Sequence, residues 1–141
     1  MKIRKARKKD KKFIKILDKE NMAPIMHSYG VKYYGNMFEP FKSKNCFILE
    51  LSKPIGFAYF DISEKKLDIW SIQIKKEFSR RGFGTKLMKY IIDYARKEGI
   101  RKVILEAHKN NKSSVNFYKK IGFKKIKSKK QNKIAFEFIT K

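Results

Sequence analysis

The stretch Ile72-Gln73-Ile74-Lys75-Lys76-Glu77-Phe78-Ser79-Arg80-Arg81-Gly82-Phe83-Gly84-Thr85 decides how this chain is read. An alternating apolar run enters it, a glycine-bearing turn follows, and a helical pattern leaves it. Gly82 and Gly84 let backbone N–H groups converge with no side chain in the way. The start of the helix adds free N–H donors and partial positive charge, so the turn reads as an anion site. Arg80, Arg81 and Thr85 add side-chain donors, and the set suits a diphosphate. Two familiar phosphate loops do not fit. A dinucleotide loop needs glycine where Leu87 stands, and a nucleoside-triphosphate loop needs Gly-Lys-Ser/Thr where Gly84-Thr85-Lys86 stands. Two glycines alone also serve many strand–turn–helix junctions for steric reasons.

Working outward, helical spacing of Leu87, Met88, Ile91, Ile92 and Ala95 predicts a helix from Gly84 to Gly99. Upstream, Cys46–Leu51, Ile55–Ile62 and Leu67–Ile74 are rich in aromatic and β-branched residues and read as an antiparallel meander, turning at Lys53-Pro54 and Glu64-Lys65-Lys66. Downstream, Val103–Ala107 is a strand and Asn111–Lys120 a helix closed by Gly122. Phe123–Ile126 and Ile134–Ile139 form a last hairpin. At the N-terminus, Lys2–Ala6 is a short strand and Asp10 caps a helix carrying Phe13, Ile14, Ile16 and Leu17. Asn21 is read as the cap of a second helix with Pro24 in its first turn, and Gly30 and Gly35 as stops. The predicted order is β α α β β β α β α β β, an α/β layered fold with a mixed, mostly antiparallel sheet flanked by helices.

The 141 residues are expected to form a single domain, 1–141, with no linker, repeat or hinge. Without a membrane-length apolar run or a signal-like N-terminus, the expectation is a cytoplasmic protein, monomer or homodimer, with no membrane partner. The single cysteine, Cys46, opens an apolar run and reads as a buried thiol, and no metal-ligand cluster is present in the sequence. The net charge of +24 suits anionic partners: nucleic acid bound weakly, an acidic protein surface, or a phosphate-bearing cofactor. It disfavours polycationic acceptors, which it would repel. Lysines scattered through every segment also fit plain surface composition.

The turn and a second segment together resemble the GNAT superfamily of acyl-CoA N-acetyltransferases. That family's signature, Gln/Arg-x-x-Gly-x-Gly/Ala, is similar to Ser79-Arg80-Arg81-Gly82-Phe83-Gly84. Its second signature, Asn-x-x-Ala-x-x-aromatic/Leu-Tyr-x-x-x-Gly-Phe, resembles Asn111 to Phe123, with Phe117-Tyr118 and Gly122-Phe123 in place. The resemblance is close from Leu67 to Phe123 and is nearest in motif to the ribosomal-protein N-terminal acetyltransferase branch. It implies a GNAT fold and acetyl-CoA as co-substrate, with no metal. The acceptor is a primary amine: a protein N-terminus, a lysine or a small amine. It also implies coenzyme contacts from the backbone of the Ile72-Gln73-Ile74 strand, from Arg80, Arg81, Gly82, Phe83, Gly84 and Thr85 around the diphosphate, and from Asn111 on the coenzyme arm. That strand is expected to bulge and splay from Val103–Ala107. Ser79 departs from the family, which carries a long Gln or Arg there.

Acetyl transfer needs a neutral amine and a proton for the leaving thiolate. About a tenth of an α-amine is neutral at pH 7, but fewer than about one in a thousand lysine side chains. The resemblance makes Tyr118 the acid, since a phenol donates at neutral pH without tuning, against the plain reading of a packed aromatic. It makes Glu106 the base, with Asp68, where the histone-acetyltransferase branch keeps a Glu, or a water relay as alternatives. His108 reads as a loop histidine without a role. Tyr29, Tyr33, Tyr34, Phe38 and Phe41, with Glu39, either line the acceptor entry between the two first helices and the meander or pack as core. Ribosomal-type relatives grip a peptide with tyrosines on a longer final hairpin, whereas Lys127–Lys133 carries no aromatic residue. A domain that binds the coenzyme without catalysis, or a basic module associated with nucleic acid, is the competing reading.

Overall fold

The structure is a computed structural model that describes residues 1–140. Seven strands and three helices follow in the order β1 (Lys2–Lys5), α1 (Lys11–Ser28), β2 (Cys46–Glu50), β3 (Pro54–Ser63), β4 (Lys66–Ile74), α2 (Phe83–Lys97), β5 (Lys102–His108), α3 (Lys112–Ile121), β6 (Lys124–Ile126) and β7 (Lys133–Ile139). The strands form one sheet in the order β1-β2-β3-β4-β5-β7-β6. The expected α/β fold with a mixed, mostly antiparallel sheet is therefore observed. The β4–β5 pair is parallel, and α2 supplies the crossover that a parallel pair requires.

One helix replaces the two expected near the N-terminus. Pro24 lies inside α1 rather than in the first turn of a new helix. The carbonyl that Pro24 cannot engage belongs to Glu20, and both residues are exposed, so that oxygen is open to water and the helix runs on. Asp10 does not cap α1 with its side chain. Its carboxylate accepts from the Arg7 backbone N–H at 2.7 Å and from the Arg4 guanidinium at 2.8 Å and 3.1 Å. Arg4 also holds Glu50, which lies opposite Lys2 on the β1–β2 ladder. Burial opposes the Asp10 charge, but these donors hold its carboxyl below the usual range. The three helices end at Gly30, Gly99 and Gly122, as the sequence marks, whereas Gly35 lies in the following loop.

The chain divides into two compact units. The first comprises Met1–Tyr59 and Ser71–Leu87, the second Phe60–Trp70 and Met88–Lys141. The first unit's core gathers Ala6, Ile14, Leu17, Phe38, Cys46, Ile48, Phe57 and Tyr59. Phe38 meets Phe57 and Tyr59 edge-on, with centroids 5.7 Å and 5.1 Å away, and Phe41 stacks on Tyr59. Phe38 and Phe41 therefore pack as core, while Tyr34 stands 75% exposed. Cys46 is fully buried, and desolvation pushes its thiol up to about 12. In the second unit Met88, Ile91, Ile92 and Ala95 of α2 are buried, as their spacing predicts, along with Leu67, Val103, Leu105 and Phe136.

Gly56 on β3 marks the tightest approach in the first unit. A Cβ there would sit 2.5 Å from Ile74 Cδ1 and 2.7 Å from the Gln73 carbonyl oxygen. The end of β4 therefore runs against bare backbone, fixed by the Lys75 N–H on the Ile55 carbonyl at 2.8 Å. Gly56→Val should lower unfolding free energy by about 1–3 kcal/mol in chemical denaturation, because the carbonyl cannot move aside as a flexible side chain can.

Candidate active site

The anion turn forms because the backbone departs from helix and strand at two places. Arg80 takes φ +60° and Gly82 takes φ +85°. Left-handed residues so spaced turn successive N–H groups toward one side, the arrangement that cradles anions. The first helical N–H to find a carbonyl is that of Lys86, on Gly82 at 3.1 Å. The amides of Phe83, Gly84 and Thr85 thus stand at the open first turn of α2. Gly82 is exposed and nothing lies within 4 Å of a Cβ built on it, so the space before the turn is clear.

Cations surround these donors. The Arg81 guanidinium lies 5.4 Å from the Phe78 ring centre and 5.8 Å from that of Phe83, and Lys86 Nζ lies 5.9 Å from Phe83. The two rings meet edge-on, and the guanidinium lies within cation–π range of both. Ser79 contributes no long side chain. Its hydroxyl donates to the Lys76 carbonyl at 2.7 Å and closes the short 3-10 turn Lys76–Phe78.

β4 leads into this turn through a buried polar network that the sequence reading missed. Gln73, 7% exposed, donates to Asp18 at 2.7 Å and to the Ser71 hydroxyl at 2.6 Å. Asn21 donates to the Gln73 side-chain oxygen at 3.1 Å, and the Tyr33 hydroxyl donates to the other oxygen of Asp18. Gln73 is thus held by its side chain, with its carbonyl oxygen lying close against Gly56. Asp18, at 3% exposed, shares α1's inward stripe with Ile14 and Leu17, and that spacing was the signal for it.

The second unit holds the acid–base candidates. Asn111 caps α3: its side-chain oxygen accepts the Ser114 N–H at 3.2 Å, leaving its amide nitrogen to donate elsewhere. Tyr118 is 7% exposed and ringed by Phe117, Phe123 and Phe136 at 5.5–6.0 Å between centroids. Desolvation pushes its phenol up to about 12, partly offset by a hydrogen bond with Ser114, so it stays protonated at neutral pH. Glu106 on β5 presents its carboxylate to the Lys130 ammonium at 3.2 Å and the Ser128 hydroxyl at 3.5 Å. Asp68 pairs with Ile104 in the β4–β5 register, two residues from Glu106. Burial, then the charges of Glu106 and Asp61, raise its carboxyl above the ordinary range. His108 is not a loop residue. It ends β5 opposite Lys133, and desolvation followed by the Lys133 charge lowers its pKa, so it is neutral at pH 7.

The expected strand–turn–helix junction and the expected helix carrying Tyr118 seven residues after its Asn111 cap are therefore both present. A family model described as "Acetyltransferase (GNAT) family" matches residues 12–123. The chain belongs to this family. Over 132 residues it is 29% identical to N-alpha-acetyltransferase 50 of Danio rerio, covering 83% of this chain and 72% of the relative. It is 28% identical over 94 residues to the ribosomal protein bS18-alanine N-acetyltransferase of Salmonella typhimurium, covering 64% of this chain and 60% of the relative. It is also 38% identical over 85 residues to an uncharacterized N-acetyltransferase of Methanocaldococcus jannaschii; that match takes in 55% of this chain but only 38% of the longer relative. Among solved structures, the PaiA N-acetyltransferase of Thermoplasma acidophilum in complex with coenzyme A superposes with a TM-score of 0.82 at 19% identity, over 98% of each chain. That likeness shows the GNAT fold. These findings support acetyl-CoA-dependent N-acetylation as the chemistry of the domain, with acetyl-CoA as co-substrate.

The turn yields a direct test. Coenzyme A at 100 times its Kd should stabilise the fold by about 2.7 kcal/mol in thermal melts. Gly82→Asp puts a carboxylate on the turn expected to take the diphosphate and should remove that gain, whatever it does to the melting point without ligand.

Proposed function

We propose that the chain transfers the acetyl group of acetyl-CoA to a primary amine by direct attack within a ternary complex, and that a protein α-amine is the acceptor. The observation that carries this reading is Glu106. It is a strand-borne carboxylate already holding a primary ammonium, that of Lys130, at 3.2 Å. A carboxylate so placed can bind an acceptor ammonium and take its proton. The α-amine is favoured because about a tenth of it is already neutral at pH 7, so a half-exposed carboxylate needs to give little help. The Danio relative, an N-alpha-acetyltransferase, and the Salmonella relative, an alanine N-acetyltransferase, support the same acceptor class. We place the protein in the cytoplasm, where acetyl-CoA and new N-termini meet; among the described residues no helix is long and apolar enough to cross a membrane.

In this reading the Arg80–Thr85 turn binds the diphosphate, the backbone of Ile72, Gln73 and Ile74 meets the pantetheine arm, and the Asn111 side-chain amide contacts the same arm. Glu106 takes a proton from the acceptor. The neutral nitrogen forms its bond to the acetyl carbonyl carbon, the carbon–sulfur bond breaks, Tyr118 donates its phenolic proton to the departing thiolate, and the second nitrogen proton restores the phenol. A phenol pushed up to about 12 keeps its proton at neutral pH, so it is available to donate as the thiolate departs. One observation favours a second base. The raised carboxyl of Asp68 makes it a better proton acceptor near neutrality than an ordinary carboxylate, and it stands where the lysine-acetylating branch keeps its Glu.

Two substitutions separate these roles. Tyr118→Phe keeps the aromatic packing and removes only the hydroxyl. It should lower kcat about 10²-fold with coenzyme affinity retained, and an unchanged kcat would leave Tyr118 a packing residue. Glu106→Gln should slow the reaction most near pH 7 and recover as pH rises toward the amine's own pKa of about 8, where acceptor arrives neutral. Asp68→Asn should be nearly silent in the same pH profile; the opposite pattern moves the base to Asp68 and the acceptor toward lysine.

A further inference from the structure

The β6–β7 connection is built to put one lysine on Glu106. The Ser128 hydroxyl donates to the Lys130 carbonyl at 3.3 Å and accepts the Lys130 N–H at 3.1 Å. The Lys109 N–H donates to the Asn132 carbonyl at 3.0 Å, tying the connection to the end of β5. Both oxygens of Glu106 are then met from this connection, one by Lys130 Nζ at 3.2 Å and one by the Ser128 hydroxyl at 3.5 Å. Lys127 and Lys129 lie in the same connection and are just as exposed, yet neither reaches a carboxylate. Within this connection it is Lys130 that pairs with the proposed base.

The geometry points to Lys130 as an internal acceptor: with no other amine bound, the protein acetylates its own Lys130 side chain. The inference rests on the acetyl-transfer reading above and on Glu106 as its base. Lys130 Nζ lies 3.2 Å from the carboxylate proposed to take an acceptor's proton. The pair is largely exposed, with Lys130 62% accessible, so it is weak and exchanges readily with solvent and with a true acceptor. The step balances. The Lys130 ammonium gives one proton to Glu106 and from there to solvent. Its neutral nitrogen bonds to the acetyl carbonyl carbon of acetyl-CoA, the carbon–sulfur bond breaks, and the second nitrogen proton passes to the thiolate. The products are N-acetyl-Lys130, coenzyme A thiol and one proton. Acetylation removes the Lys130 charge and with it the hold on Glu106. A self-modified molecule therefore presents an unoccupied Glu106 to external amines and should bind them with a lower KM.

The full-length chain is incubated with acetyl-CoA and no acceptor, then digested, and the lysines of residues 124–133 are followed by mass spectrometry. Lys130 should be labelled first and ahead of Lys127 and Lys129, at a rate independent of protein concentration, and Glu106→Gln should slow it about 10²-fold near pH 7. Lys130→Arg keeps the ion pair and should abolish the modification while the neighbours stay at background. Equal labelling of Lys127, Lys129 and Lys130, a rate proportional to protein concentration, or full labelling in Glu106→Gln would each overturn the inference. Thiol release with external amines is measured beside it. Brisk release with Lys130 unlabelled sinks the inference and leaves the acetyl-transfer reading standing, whereas no release and no label sinks both.

Discussion

An anion-binding turn must keep its amides unpaired without collapsing, and this is the constraint on which the first unit is arranged. The amides of the turn are open because Arg80 and Gly82 adopt left-handed conformations and because α2 begins immediately after them. Such a turn is only as well placed as the strand that delivers it. Here the strand end is fixed twice. Gly56 lets β3 lie against the backbone of Gln73 and Ile74, and the Gln73 side chain is held by Asp18, Ser71 and Asn21. Neither fixation contributes a ligand contact of its own. A buried carboxylate such as Asp18 demands donors, and leaving it short of one costs about 1–3 kcal/mol, so the network acts as a clamp that tolerates few other arrangements.

The same logic separates the roles of the charged residues. A surplus of cations on the surface says little alone, since exposed lysines are solvated wherever they fall. Position is what differs. Arg81 is pinned between two aromatic rings beside open amides, and Lys130 is pinned on a strand carboxylate. Asp68 and Glu106 lie on neighbouring strands, and burial, then the Glu106 charge, raises the cost of ionising Asp68. An enzyme that must hold an ammonium and then remove its proton needs both a carboxylate that stays charged and a route by which the proton leaves.

Much of this was legible in the sequence because it is local. The strand–turn–helix at Ile72–Thr85, the α2 stripe, the Asn111 cap and the glycine stops all depend on residues within a turn or two of each other. Misreadings arose where distant packing overrode a local signal. Pro24 looked like a helix start, but α1 passes through it because the carbonyl it orphans faces water. Asp10 looked like a helix cap, but Arg4 and the Arg7 amide claim its carboxylate. His108 looked like a loop residue until β7 paired with it. The aromatic set after α1 could not be sorted from sequence, since Phe38 is core and Tyr34 is surface although they are only four positions apart. The Asp18–Gln73 and Glu106–Lys130 contacts join residues 55 and 24 positions apart, beyond the reach of any periodicity.

The account stands or falls on what accepts the acetyl group. The most direct measurement is coenzyme A thiol release from acetyl-CoA with two short peptides of one sequence, one bearing a free α-amine and one blocked there but carrying a lysine. Turnover with the free α-amine and little with the blocked peptide is the predicted result. Thiol release that is equal for the two peptides, or absent for both while coenzyme A still stabilises the fold, would contradict it.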